Sequence, residues 1–176
     1  LESEFYPHYF SEVVQGGDIE YLTEKQLGEG GPVAVDLDFR FDSEIKVRQH
    51  TEEEIQDIIS IYLDALKTMF TFVSTMSFMV YVFEKPHVNT TNDEETKDGI
   101  HIIFGIQMSS LLQIILRDKV IKMIKENPDT FESLHDLPLT CSWDKVLDEG
   151  ISKGSTNWTL YGSRKPNNEA YQITSA

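Results

Sequence analysis

Two aspartates and an arginine interrupt an otherwise apolar run near the start of the sequence, GPVAVDLDFRF. Successive side chains of a strand point to opposite faces, so Asp36, Asp38 and Arg40 would share one face and the large apolar residues the other. The two aspartate Cα atoms would lie about 6.5–7 Å apart, close enough for their carboxylates to share or straddle Mg²⁺ or Mn²⁺ ions. The alternative is an ordinary solvated strand face on which Arg40 neutralises the acids. This stretch alone favours neither interpretation.

A histidine stands in a second apolar stretch, KDGIHIIFG. His101 would share a strand face with Ile103 and project from the middle of an apolar strand. A single histidine in a strand is more often a hydrogen-bonded structural residue than a functional one. Lys97 and a tight turn at Gly99 precede it, however, and a cation, a glycine turn and an imidazole together could contact phosphate oxygens.

A third group of polar residues lies near the end of the chain, in WDKVLDEG and YGSRKP. Asp148 is one acid among several there, and an exposed helix-surface carboxylate is the commoner explanation for such a residue. Arg164 and Lys165 are adjacent cations in an otherwise acidic chain. Local positive charge of this kind suits a triphosphate or a nucleic-acid backbone, and a plain exposed turn is the alternative.

The charge balance limits the partners of the chain. Fifteen basic and thirty acidic side chains give a formal net charge of -15 over 176 residues. General electrostatic attraction to nucleic acid or to anionic lipid is therefore excluded, and any such contact must come from a local basic cluster. We expect weak DNA affinity for the isolated domain.

The cysteine count and the first residues indicate the compartment. Cys141 is the only cysteine, which excludes an internal disulfide and a Cys-rich zinc site in this segment and favours a reducing compartment. The sequence contains no run of transmembrane length and does not begin like a signal peptide, so we expect no secretion and no membrane partner. Because the chain starts without Met and stops soon after a strand-like run, we expect it to be a fragment of a longer protein.

Hydrophobic periodicity predicts the elements that position these residues. Apolar residues at helical spacing predict a helix over 51–70, which Thr51 and Glu54 can begin with a capping box. Ser142 is a possible cap for a short helix among the turns of residues 130–154. The remaining predictions are strands over 33–41, 78–86 (buried) and 99–105, helices over 51–70 and 109–126, a polar surface loop or mobile flap over 88–98, and a closing pair of strands over 157–166 and 169–174. This mixture indicates a single α+β domain over residues 1–176.

Taken in order, the three polar features resemble the archaeo-eukaryotic primase (AEP) superfamily. Within it they resemble the primase domain at the N-terminus of primase-helicase proteins of nucleocytoplasmic large DNA viruses. The family carries an hhDhD strand, here VAVDLDFR, an xxH strand, here KDGIHIIFG, and a later metal-binding aspartate, here Asp148 in KVLDEGI. The viral branch tends to show W…YGS.KP before a short strand, matched by NWTLYGSRKPNNEAYQIT. The resemblance covers residues 32–174.

The resemblance implies an α+β catalytic core with an antiparallel-rich sheet, like that of an RNA-recognition motif, flanked by helices. It implies DNA-dependent nucleotidyl transfer that synthesises primers for viral replication by two-metal phosphoryl transfer. Its carboxylate set here is Asp36, Asp38 and Asp148, holding two Mg²⁺ or Mn²⁺ ions. Asp144 is the other choice for the third acid, expected one helical turn away, and Asp148 is preferred because an apolar Val-Leu pair precedes it. The nucleotide-binding candidates are His101, Lys97, Arg40, Arg164 and Lys165.

The expected partners follow from the same resemblance: nucleoside triphosphates, a single-stranded DNA template and primer, and a helicase portion of the same polypeptide. The expected location is a viral replication site, in a cytoplasmic factory or the nucleus. Two other functions stay open. A Mn²⁺-dependent glycosyltransferase also uses D-x-D, usually at a strand end, and a non-catalytic replication domain could keep the fold without the activity.

Overall fold

An antiparallel sheet forms the centre of the protein in the computed structural model, which describes residues 2–73, 75–90 and 94–176. The helices are α1 (Glu2–Tyr9), followed by a π-helical turn (Phe10–Gln15), α2 (Glu52–Met69), α3 (Ser110–Glu126), α4 (Glu132–Asp136), α5 (Trp143–Val146) and α6 (Glu149–Ser152). The strands are β1 (Thr23–Glu24), β2 (Gly31–Asp42), β3 (Val80–Glu84), β4 (Glu95–Met108), β5 (Trp158–Thr159) and β6 (Gln172–Ser175). The four-stranded sheet has the order β2-β4-β3-β6, and β1 pairs with β5 in a separate ribbon.

The two long strands, β2 and β4, set the relative positions of the polar residues. Their register pairs Asp36 with His101 and Asp38 with Gly99. The alternate residues form the opposite, apolar face of the sheet, as the sequence predicts. On that face the following side chains are fully buried: Leu37, Phe39, Phe41, Ile100, Ile102 and Phe104.

The helices α2 and α3 bury their apolar stripes in the core formed on this face. The helix α2 begins as predicted, because the Thr51 hydroxyl accepts from the Glu53 N–H at 3.2 Å and the Glu54 carboxylate accepts from the Thr51 N–H at 2.7 Å. Both long helices agree with the predicted ranges, and the α+β class is confirmed. Within the described residues, no helix combines the length and the apolar character that a membrane crossing needs.

The surface loop predicted over residues 88–98 is wrong for its last part. The strand β4 already begins at Glu95, and Thr96 and Asp98 are buried. An isolated bridge joins Asn89 to Lys97. The acidic run continues into the sheet because the buried Asp98 has an ion-pair partner in Arg48, which is half-buried. Residues 91–93 of the predicted flap lie outside the described residues.

The predicted closing pair of strands is also wrong. The strand β5 pairs with β1 near the N-terminus, with Thr23 opposite Thr159, whereas β6 joins the edge of the central sheet beside β3. Between them the backbone turns at Gly162 and Asn167, both with positive φ. The predicted strand over 78–86 exists in shorter form as β3, and only Val82 and Glu84 of it are buried.

Candidate active site

A cleft of about 710 Å³ opens on the polar face of β2 and β4. Residues from β5 and from the segment after it form its other side. The structure brings most of the residues predicted from sequence to this one cleft. They are Asp36, Asp38, Asp148, Lys97, His101, Arg164 and Lys165.

Asp36 lies at the centre of the cleft floor, in the middle of β2. The indole N–H of Trp158 donates a hydrogen bond to its Oδ2 at 3.1 Å. Burial raises the pKa of Asp36 to about 7, the Trp158 hydrogen bond opposes this rise, and the charges of Asp148 and Asp38 add to it. Asp36 is therefore a half-buried acid that forms no ion pair with a lysine or arginine among the described residues, and the charge of Lys165 offsets its raised pKa only in part.

Asp148 is held beside Asp36 through the backbone. Its N–H donates to the Asp36 carbonyl oxygen at 2.9 Å, and the neighbouring residues Leu37 and Leu147 form an isolated antiparallel bridge. Its carboxylate caps α6 by accepting from the Gly150 N–H. The contact explains how a residue 112 positions away in sequence reaches the same site as Asp36.

Asp144 lies elsewhere. It belongs to α5, is exposed, and pairs with Lys125 rather than lining the cleft. The expectation that Asp144 and Asp148 lie one helical turn apart is wrong, because α5 ends at Val146 and the backbone is extended at Leu147 before α6 begins. Ser142 precedes α5 as predicted, but its side chain makes no capping hydrogen bond.

Asp38 and Arg40 pair with each other at the rim. The Arg40 guanidinium donates to Asp38 Oδ2 from Nη2 at 2.7 Å and from Nε at 3.2 Å, and its Nη1 lies 3.4 Å from Glu95. Arg40 is not among the residues that line the cleft. It neutralises Asp38, as the solvated-face interpretation expects, and forms no ion pair with Asp36 within the described residues.

His101 lies between two aromatic rings. The Trp158 ring stacks on it at 4.1 Å between centroids and 5° between planes, and the Tyr171 ring covers its other side at 3.7 Å and 22°. Burial, followed by the charges of Lys85 and Lys165, lowers the pKa of His101 to about 3. The imidazole is therefore neutral at physiological pH. We call the stacked rings of Trp158, His101 and Tyr171 the ring column.

Gly99 is required by the ring column. A Cβ atom at this position would lie 2.3 Å from the Tyr171 hydroxyl, so a larger residue would displace that ring. Sequence reasoning recognised Gly99 only as a turn, whereas it lies inside β4 opposite Asp38. Its missing side chain makes room for Tyr171 to cover His101.

Several cations face the same cleft. Lys85 was not predicted, although strand alternation places it on the face opposite Glu84; its Nζ lies 5.0 Å from the centre of the Tyr171 ring. Burial, followed by the charge of Lys165, lowers the pKa of Lys85. Among the residues described, Lys85, Arg164 and Lys165 form no ion pair, while Lys97 pairs with Glu95 at 3.0 Å. In a chain of net charge -15, these unpaired cations make the cleft suitable for an anion.

The carboxylates are oxygen donors that share one cleft, which suits a hard divalent ion. Their side chains are not, however, grouped around a common position. Oxygen donors are the ligands that Mg²⁺ and Mn²⁺ prefer. The raised pKa of Asp36, caused by burial and then by nearby carboxylates, is a state that a cation would relieve. In the described part of the chain, however, no three His, Cys, Asp or Glu side chains are grouped closely enough to hold a metal ion. Asp38 would have to turn away from Arg40 to join such a group.

The antiparallel sheet, with two aspartates within one strand and a histidine opposite them on the next, is the arrangement that the AEP resemblance implies. The chain belongs to this class: the family described as the C962R protein N-terminal AEP domain matches residues 2–176. The chain is also 34% identical over 169 residues to an Acanthamoeba polyphaga mimivirus protein named as a candidate helicase, L207/L206. The match covers 96% of this chain and 17% of the relative, so the chain spans about a sixth of that protein's length.

Proposed function

We propose that this domain is the catalytic domain of a viral primase, a DNA-dependent nucleotidyltransferase that synthesises primers for DNA replication. The observation that supports this most strongly is the cleft that Asp36, Asp38, Asp148 and His101 share with cations that form no ion pair among the described residues. Membership of the AEP family supports the same function, independently of that geometry.

In this proposal Asp36, Asp38 and Asp148 would hold two Mg²⁺ or Mn²⁺ ions, and the chemistry supplied there would be activation of the primer 3′-hydroxyl and neutralisation of phosphate charge. Neutral His101 donates one ring N–H to a phosphate oxygen. Lys165, with Arg164, Lys97 and Lys85, binds the triphosphate through charge-assisted hydrogen bonds. The primer 3′-oxygen forms a bond to the α-phosphorus as the bond from that phosphorus to pyrophosphate breaks, and the hydroxyl proton passes to solvent.

We further propose that the domain acts as part of a longer primase-helicase. The mimivirus relative is named as a candidate helicase and is much longer than this chain. The charge of -15 supports an arrangement in which a helicase portion provides most of the affinity for template DNA. The complete protein would work at a viral replication site, in a cytoplasmic factory or the nucleus, in a reducing compartment.

The geometry argues against the glycosyltransferase, whereas one observation favours the non-catalytic domain. A glycosyltransferase D-x-D usually ends a strand, whereas Asp36 and Asp38 lie in the middle of β2 with a histidine strand beside them. One observation favours a non-catalytic domain: Asp38 is paired with Arg40 and Asp148 caps α6, so both acids already have protein partners. Activity measurements separate this possibility from the proposal.

The test is template-directed primer synthesis with Mn²⁺ and either NTPs or dNTPs, combined with calorimetry of Mn²⁺–nucleotide binding. The Asp36→Ala/Asp38→Ala variant should lose about 10³-fold or more in rate, as expected when residues acting as a unit are removed. The matched control is Asp144→Asn, an acid outside the cleft, which should behave like the wild type.

Each of the other outcomes identifies one alternative. No synthesis by the wild type, with equal metal–nucleotide binding by all variants, supports the non-catalytic domain and overturns the proposal. Hydrolysis of a sugar nucleotide without primer synthesis supports the glycosyltransferase.

A further inference from the structure

We propose that Trp158 is a positioning residue that fixes Asp36 and His101 relative to each other for nucleotidyl transfer. The kinetic part of this inference rests on the proposed function, whereas the contacts that motivate it do not.

Trp158 is the contact that Asp36 and His101 share. Its indole N–H donates to Asp36 Oδ2 at 3.1 Å, while its ring stacks on the imidazole of His101 at 4.1 Å. Asp36 and His101 are opposite each other in the β2–β4 register, yet His101 Nε2 lies 3.7 Å from Asp36 Oδ1, too far for a hydrogen bond. One side chain therefore contacts both groups and constrains the orientation of each.

The indole is itself firmly held. Trp158 pairs with Glu24 in the β1–β5 ribbon and is 5% exposed. Its ring packs in a small apolar cluster with Ala34 and Ile151, beside Ile103. The N–H and the stacking face therefore point in directions that the surrounding structure fixes.

The opposite face of His101 is closed by Tyr171, so the imidazole is confined on both sides. With Oδ2 of Asp36 engaged by Trp158, the oxygen nearer to His101 is Oδ1. This leaves one oriented carboxylate oxygen and one confined imidazole edge toward the cleft. Preorganisation of this kind matters for transfer, because reacting groups misplaced by a fraction of an ångström lose rate.

Three substitutions separate the two contacts from a general effect on folding. Trp158→Phe keeps an aromatic ring over His101 but removes the donor to Asp36. Trp158→Leu removes both contacts. Trp143→Phe is the matched control, because Trp143 is also buried but packs edge-on against Phe39 in the main core.

The measurements are kcat and KM for the nucleotide in primer extension, with a thermal melt of each variant. For Trp158→Phe we expect kcat to fall about tenfold with KM changed less than about twofold, because one hydrogen bond to a charged group is lost. Trp158→Leu should also raise KM, because His101 is no longer confined. Trp143→Phe should lower the melting temperature and leave kcat and KM unchanged.

Wild-type kinetics for Trp158→Phe would overturn the inference. So would parallel losses in Trp158→Phe and Trp143→Phe that follow their melting temperatures. If the wild type synthesises no primers, the proposed function fails, and Mn²⁺–nucleotide affinity measured by calorimetry becomes the readout. Weaker binding by Trp158→Leu, which leaves His101 unconfined, than by both Trp143→Phe and the wild type then supports the positioning role, and equal binding overturns it.

Discussion

Two groups of ionisable side chains lie on opposite faces of the central sheet, and their charges are treated in opposite ways. The back-face cluster consists of Arg48, His50, Glu84 and Asp98. In it Arg48 Nε lies 2.9 Å from Asp98 Oδ2 and its Nη1 3.1 Å from Glu84, while His50 Nε2 lies 2.8 Å from Glu84. Every member of this cluster has an oppositely charged partner when His50 is protonated.

The pKa shifts of the back-face cluster favour the charged forms. Burial works against ionisation of Asp98, but the His50 imidazole, whose Nδ1 lies 3.3 Å from Asp98 Oδ2, and the hydrogen bonds from Arg48 outweigh it and lower the pKa. The hydrogen bond from His50 lowers the pKa of Glu84. Burial opposes protonation of His50, and its close contact with Asp98 and hydrogen bond with Glu84 raise the pKa above its ordinary value. This cluster is internally compensated.

In the cleft the net pKa shifts favour the neutral forms, because no interaction among the described residues outweighs burial. Burial raises the pKa of Asp36 and lowers those of His101 and Lys85, so each group is driven toward its neutral form. A compensated cluster stabilises the folded chain by itself, whereas an uncompensated one is stabilised by binding ions of opposite charge. The difference supports our proposal that the cleft binds a ligand, whereas the back-face cluster needs none.

The largest expected effect contrasts one aspartate from each face. Asp98→Asn should destabilise the fold by about 3 kcal/mol, the low end for breaking a buried ion pair, because Arg48 keeps its charge and is partly exposed. Asp36→Asn should leave the free energy of unfolding unchanged or higher, because it removes an uncompensated carboxylate and keeps an acceptor for Trp158. Urea unfolding of both variants near pH 8 is the measurement. Equal destabilisation would refute the distinction between the two faces.

A smaller effect is expected at Lys85, on nucleotide binding. Lys85→Met should weaken binding of inorganic tripolyphosphate, measured by calorimetry without metal, by about 10- to 100-fold, the equivalent of one charge-assisted hydrogen bond. Stability should not fall, because Lys85 forms no ion pair in the described part of the chain. The control is Lys46→Met, at an exposed lysine. Wild-type affinity in Lys85→Met would show that this cation faces the cleft without serving it.

The difference between the faces also explains what sequence could predict. Strand alternation is local, so it placed Asp36 and Asp38 on one face, and the capping box at Thr51 located the start of α2 correctly. The family resemblance supplied the need for a third acid, and the apolar Val-Leu pair before Asp148 favoured it over Asp144. These predictions needed only neighbouring residues or a known motif.

The remaining features depend on contacts between distant parts of the chain. Trp158 reaches Asp36 across 122 positions, through the pairing of β5 with β1 that the sequence did not reveal. Asp98 was assigned to a surface flap because it ends a polar, acidic stretch of sequence, and the residue that compensates it in the core, Arg48, lies 50 positions earlier. Local spacing predicted which residues could carry chemistry, but it did not predict which distant residues balance their charges.

The smallest expected effect concerns the pH dependence that His50 gives the back-face cluster. Because its pKa is raised in the folded state, its contribution to stability is fully present below about pH 6.5 and is lost as the pH rises through the folded value. Asp36, whose pKa is raised to about 7, also makes the fold less stable as the pH rises, but over a pH window that ends near neutrality. Melting temperatures should therefore be compared in an Asp36→Asn background from about pH 6.5 to about pH 8.5. There His50→Gln, which cannot titrate, should flatten the decline. Identical slopes with and without His50 would mean that its imidazole stays neutral between Glu84 and Asp98, and the back-face cluster would then lack the full compensation that separates it from the cleft.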